Sequence, residues 1–170
     1  MKSILLIRHA KSSWDIDGLE DFYRPLSERG ISDTIKMGRY LKNIQLKPEL
    51  CICSPSHRTI STYSILSHTA DWRKTKFKIK KKLYECDGKK IKSVLKHIDD
   101  KYNFITVIGH EPSLSEFIYE NCDFSLGKFP TAAIALVVFK DLKRWRKLEK
   151  EKGDLEFIIS PKQLTVADVK

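Results

Sequence analysis

Three short apolar runs in this 170-residue chain each end on side chains suited to phosphoryl chemistry. Ile4-Leu5-Leu6-Ile7 is followed by Arg8-His9, Cys51-Ile52-Cys53 by Ser54-Pro55-Ser56-His57-Arg58, and Thr106-Val107-Ile108 by Gly109-His110. A neutral imidazole can attack phosphorus, provided that its other nitrogen is fixed in the protonated form; for His9 that nitrogen is expected to donate to a backbone carbonyl. A phosphoryl group in transfer spreads charge over its equatorial oxygens, and the planar donor forks of Arg8 and Arg58 match them. His110, if protonated, adds a further donor, and a helix opening near Pro55 can turn free N–H groups toward the same anion. Each residue alone has a structural reading, as a satisfied histidine behind a strand or a surface arginine. Their coincidence at three strand ends favours a shared site.

The elements that would position these residues alternate along the chain. Residues 3–7 read as a buried strand. Ser27 is placed to cap a helix running to about Asn43, with Ile31, Ile35, Tyr40 and Leu41 near helical spacing. A short strand covers Leu50–Cys53, and the helix after it reaches His68, with Pro55 in its first turn. Residues 77–79 form a weaker strand. Asp87 caps a helix through His97 whose stripe is Ile91, Val94, Leu95 and Ile98. Residues 104–108 form a third strong strand, and Pro112 opens a helix to about Cys122. Residues 132–139 and 155–159 close the sheet. The order predicts an α/β three-layer sandwich with a mostly parallel central sheet flanked by helices, and ligands in such sheets bind beyond the carboxyl ends of the strands.

Composition bounds the remaining classes. Hydrophobic residues make up 41% and charged residues 32% of the chain, as expected for a folded domain that carries no membrane-length apolar run. Arg8 and His9 interrupt the N-terminal apolar run before a signal sequence could form, so a cytoplasmic location is expected. Cys51, Cys53, Cys86 and Cys122 read as buried free thiols, since no Cys/His cluster completes a metal site. The net charge is +10, and 12 basic residues lie between Arg73 and Lys101 against four acids. That surface is either a solvated basic face or an attractor of anions; nucleic acid is the lesser reading, because no nucleic-acid motif accompanies it.

The motifs taken together resemble the histidine phosphatase superfamily, and within it the short SixA-type phosphohistidine phosphatases. Arg8-His9-Ala10 is similar to the family's Arg-His-Gly/Ala signature. Asp21-Phe22-Tyr23-Arg24-Pro25-Leu26-Ser27-Glu28-Arg29-Gly30 resembles its Arg-Pro-Leu-Thr/Ser-x-x-Gly element, and Ser54-Pro55-Ser56-His57-Arg58-Thr59 its Ser-Pro-x-x-Arg-Ala/Thr element. Leu83-Tyr84-Glu85, residues 107–114 and Pro130-Thr131-Ala132-Ala133 follow in the family's order. The resemblance implies a phosphoglycerate mutase-like fold in one domain over residues 1–170 with no large cap insertion, and hence an open pocket. It implies that His9 accepts the phosphoryl group and that Arg8, Arg58 and His110 complete the phosphate pocket. Arg24 is a candidate substrate-binding residue near that pocket. Glu85 aligns with a general acid of larger relatives, with packing plus a surface charge as its alternative. Neither a metal nor a cofactor is implied. The expected partner is a phosphorylated substrate, in particular a phosphohistidine-bearing protein; small-molecule phosphomonoesters and a basic binding module that has kept the fold are the alternatives. The sequence carries no signal for an oligomeric state. Glu111 stands where the branch usually has Asn, and if it turned inward it would favour a cationic His110.

Overall fold

A computed structural model describes residues 1–169. Six strands form one sheet: β1 (Lys2–Arg8), β2 (Leu50–Cys53), β3 (Lys76–Ile79), β4 (Phe104–Gly109), β5 (Ile134–Phe139) and β6 (Asp154–Ile159). Their order is β3-β2-β4-β1-β5-β6. The first four lie parallel, while β5 runs antiparallel to both β1 and β6. β1 and β4 occupy the centre because Ile4–Ile7 and, apart from the buried Thr106, Ile105–Ile108 are apolar, and a strand covered on both sides reads as a nearly continuous apolar run.

Helices cover both faces. α1 (Glu28–Asn43) and α2 (His57–Thr69) pack together on one side, over Leu5, Ile7, Cys51 and Cys53. α3 (Gly88–Leu95) and α4 (Ser113–Cys122) pack on the other, over Ile4, Leu6, Ile52 and Val107. The predicted α/β three-layer sandwich is therefore observed. Ser27 caps α1 through its side chain, accepting from Gly30 N at 3.1 Å, and Asp87 caps α3 by accepting from Lys90 N at 2.7 Å.

Three boundaries differ from the expectation for local reasons. α3 ends at Leu95, and the backbone N–H groups of His97 and Ile98 bond three residues back in a tightened turn. β5 begins at Ile134, not residue 132, because Ala132 sits at φ 59° and its N–H turns back to the carbonyl of His9. α2 starts at His57, so Pro55 precedes the helix rather than lying in its first turn, and Ser56 makes no side-chain capping bond. Cys51 and Cys53 are buried free thiols; burial raises Cys51 well above the ordinary thiol value and Cys53 to about 12, which leaves both unreactive. No described helix is long and apolar enough to cross a membrane.

Candidate active site

Strand register brings the chemistry together. β1 and β4 pair with Arg8 opposite Gly109, so the next residues, His9 and His110, emerge side by side at the carboxyl edge of the sheet. Their ring centroids lie 5.1 Å apart. Cys53 of β2 is opposite Ile108, which sets Ser54 beside the same edge; Ser54 N donates to Ile108 O at 3.0 Å. The short turn after it delivers Arg58 on the first turn of α2. Arg8, His9, Arg58 and His110 thus share one site, as the three strand ends suggested.

His9 is buried, and its Nδ1 lies 2.8 Å from the carbonyl oxygen of Ala10. A carbonyl only accepts, so Nδ1 carries the proton and Nε2 holds the lone pair. Arg58 agrees with that tautomer by donating from Nε to His9 Nε2 at 3.3 Å. Burial, with Arg58 and Arg8 adding to it, lowers the His9 pKa to about 4 from the ordinary 6.5, against the opposing pull of the Ala10 carbonyl and Asp21. The imidazole is neutral near pH 7, the state a nucleophile requires.

His110 Nε2 pairs with Ser54 Oγ at 2.7 Å, and its Nδ1 lies 3.4 Å from Arg58 Nη2. An arginine only donates, so Nδ1 is the accepting nitrogen here. Burial, followed by His9 and Arg58, pushes the His110 pKa down to about 3. Glu111 does not oppose this: its carboxylate accepts from the N–H and hydroxyl of Ser115, at the start of α4, and its charge acts on Arg8, not on His110. The route from Glu111 to a cationic His110 is thereby corrected, because the carboxylate is committed to the helix. Arg8 donates from Nη1 to Phe129 O at 2.6 Å, while its buried Nε has no hydrogen-bond partner among the described residues.

Two residues that build this geometry, Asp21 and Tyr84, stand inside the family-like motifs, but sequence reasoning gives neither of them a role. Asp21 bonds Arg58 twice, through its backbone carbonyl to Nη1 at 2.6 Å and its carboxylate to Nη2 at 2.9 Å. The same carboxylate pairs with Arg24 Nη1 at 2.9 Å and accepts from the Tyr84 hydroxyl at 3.0 Å. Tyr84 in turn stands edge-on to His110, ring centroids 5.7 Å apart. The signal for Asp21 is its position three residues before Arg24; nothing in the sequence ties it to Arg58, 37 residues away.

Arg24 is buried at the rim. Its other donors go to Ser13 O at 3.0 Å and Ser12 Oγ at 2.6 Å, and its guanidinium lies 3.2 Å from the centre of the Trp14 ring. It reaches the pocket through Asp21. Glu85 is exposed at φ 50° and makes no hydrogen bond or ion pair with any of these groups among the described residues; its neighbour Tyr84 faces the site instead.

Comparisons with known proteins agree with this geometry. The family model described as "Histidine phosphatase superfamily (branch 1)" matches residues 4–120. An uncharacterized protein of Mycobacterium leprae is 29% identical over 161 residues, 88% of this chain and 96% of that one. An uncharacterized chloroplastic protein of Arabidopsis thaliana is 36% identical over 70 residues, 41% of this chain, and the match spans 32% of that relative's length. The protein histidine phosphatase SixA in complex with tungstate has the same fold, with a TM-score of 0.81 at 22% identity over 96% of this chain and 99% of that one. A mycobacterial glucosyl-3-phosphoglycerate phosphatase in complex with VO3 gives 0.71 at 11% identity over 92% and 98%. With a family match over most of its length and a SixA-like fold around paired histidines, the chain belongs to the histidine phosphatase superfamily, branch 1.

Proposed function

We propose that this protein is a phosphatase that moves a phosphoryl group onto Nε2 of His9 and then releases it to water, acting on phosphohistidine carried by a protein. The observation that carries this reading is the His9 ring itself: Nδ1 tied to the Ala10 carbonyl leaves Nε2 as a lone pair aimed at Arg58. Family membership and the fold support phosphatase activity. The substrate class is the finer step.

A phosphoryl group entering between His9 and Arg58 takes over the Arg58 Nε donor, so that its oxygens replace the Nε2 lone pair as acceptor. Arg58 Nη2 and the unpartnered Nε of Arg8 supply further donors. The anion's charge favours protonation of His110, whose Nδ1 then donates instead of accepting. These fixed positive groups stabilise charge where it develops, and in phosphoryl transfer that stabilisation, together with positioning, supplies most of the catalysis. The P–N or P–O bond to the leaving group breaks as the P–N bond to His9 forms; water then attacks phosphorus, returning Nε2 with its lone pair and giving inorganic phosphate. On this mechanism the charge is handled without a metal ion.

The exposed position of Glu85 favours phosphohistidine over an alkyl phosphate ester. An imidazole leaving group is able to carry its own proton, whereas an alkoxide needs an acid beside it. Turnover of a phosphohistidine-bearing domain, free phosphohistidine and a chromogenic phosphate ester by the purified protein tests the reading. Higher kcat/KM on phosphohistidine is expected; preference for the ester would assign the protein to small phosphomonoesters.

A further inference from the structure

The His9 site continues into a second feature at the same edge of the sheet. A groove of about 380 Å³ runs from Arg8 past the start of α1 to the turns flanking β5 and β6, and Lys11, Arg29, Lys128 and Lys162 line it. The single carboxylate in its lining, Asp33, is paired with Arg29 at 3.5 Å. Lys11, Lys128 and Lys162 have no ion-pair partner among the described residues, and all three are exposed.

The backbone under these lysines is fixed to the catalytic elements. Lys11 follows His9 by two residues, and its carbonyl accepts from Ser27 N at 2.9 Å and Ser27 Oγ at 3.1 Å. Lys128 precedes Phe129, whose carbonyl holds Arg8. Lys162 lies in the turn that Ser160 and Gln163 close with a reciprocal capping box. The groove therefore presents unneutralised cations at a set distance from the phosphoryl site, with Arg8 common to both.

We propose that this groove docks a carboxylate-rich surface on the protein that carries the phosphoryl group, so that the phosphohistidine enters at His9 while acidic side chains lie over Lys11, Lys128 and Lys162. The proposal rests on the phosphohistidine-protein reading above. Its chemistry favours several carboxylates over one compact second phosphate. The three lysines are point charges on long, exposed stems from three separate segments. Such an arrangement follows a spread of negative charge, and it speeds encounter and fixes orientation more than it tightens any single contact.

The test compares two triple variants of the full chain. Lys11→Ala/Lys128→Ala/Lys162→Ala empties the groove of these charges. Lys143→Ala/Arg146→Ala/Lys147→Ala removes the same charge after the carboxyl end of β5, at the opposite edge of the sheet. The probes are a phosphotransfer domain phosphorylated on a histidine within an acidic face, and free phosphohistidine. The groove variant is expected to lose about tenfold or more in kcat/KM on the domain, through KM and with a flatter salt dependence, and less than about twofold on free phosphohistidine. The distal variant is expected to change both by less than about threefold. An unchanged domain reaction in the groove variant, an equal loss on free phosphohistidine, or an equal loss in the distal variant would each overturn the docking site. If the unaltered protein hydrolyses free phosphohistidine but not the domain, the protein-substrate reading itself fails, and the docking site with it.

Discussion

Asp21 holds Arg58 by two different atoms, its backbone carbonyl at 2.6 Å and its carboxylate at 2.9 Å, and that grip aims Arg58 Nε at His9 Nε2. Side-chain packing alone could not place Asp21 this way, since it is half exposed. Asp21→Ala is expected to lower kcat/KM about tenfold by loosening the guanidinium, a smaller loss than removing Arg58 itself. A double-mutant cycle checks this: in an Arg58→Ala background the Asp21 change should cost almost nothing more. Additive losses would mean that Asp21 acts apart from Arg58.

Removal of Arg58 takes away the donor nearest the nucleophile. Arg58→Ala is expected to reduce kcat/KM by roughly two to three orders of magnitude, about 3–4 kcal/mol of transition-state stabilisation. Near-normal steady-state kinetics in this variant would remove Arg58 from the mechanism.

Glu85 and Tyr84 should separate in the opposite order to their motif's reading. Glu85→Gln is expected to change phosphohistidine hydrolysis by less than about twofold, because the carboxylate makes no bond to the site. Tyr84→Phe removes the hydroxyl that Asp21 accepts and should cost more on the same substrate. A loss of about 100-fold in Glu85→Gln, the size typical of general acid catalysis, would put the carboxylate at the leaving group.

The two histidines set a pH signature. Burial beside cations holds His9 near 4 and His110 near 3, both below the ordinary 6.5 that the unfolded chain has. Between about pH 6.5 and 4 the unfolded chain therefore binds more protons than the folded one, so stability rises with pH across that window and is lost as pH falls through it. An anion at Arg8 and Arg58 raises both values and opposes the loss. Thermal unfolding with and without sulfate, which stays a dianion throughout, should show a larger Tm gain at about pH 5.5 than at about pH 8. An equal gain at both would mean that anion binding is not linked to these imidazoles.

Much of this site was legible because strand ends announce themselves. Four apolar residues in a row in β1, and the run Phe104-Ile105 and Val107-Ile108 broken only by Thr106 in β4, mark the two as central strands, and parallel pairing then has to deliver Arg8-His9 and Gly109-His110 together. Ser27 and Asp87 were readable as caps because their side chains act on residues three positions away. The Asp21–Arg58 pair was not legible, since it joins an irregular loop to a helix with no periodicity to relate them. Tyr84 was hidden for a different reason. The φ of 50° at Glu85 alters the direction of the chain just after it, and nothing in a Leu-Tyr-Glu run says which of its polar groups faces inward.

Gly30 shows how closely the loop after His9 is set against α1. A Cβ there would stand in the backbone carbonyl of Lys11, which cannot move without shifting the segment beyond His9. Gly30→Ala is expected to cost about 1–3 kcal/mol of stability by chemical denaturation and to lower activity as well. Gly127→Ala, where a Cβ would meet nothing within 4 Å, should be close to neutral. Equal effects at the two positions would refute the close contact.

The whole mechanism turns on Nε2 of His9 carrying the phosphoryl group between the two halves of the reaction. The decisive measurement is rapid quenching during turnover of a ³²P-labelled phosphohistidine domain, followed by peptide mapping and ³¹P NMR. The expected result is an acid-labile, alkali-stable label on the peptide containing His9, substituted at Nε2, and neither label nor turnover in His9→Ala. Label on another residue, or turnover that persists in His9→Ala, would contradict the mechanism.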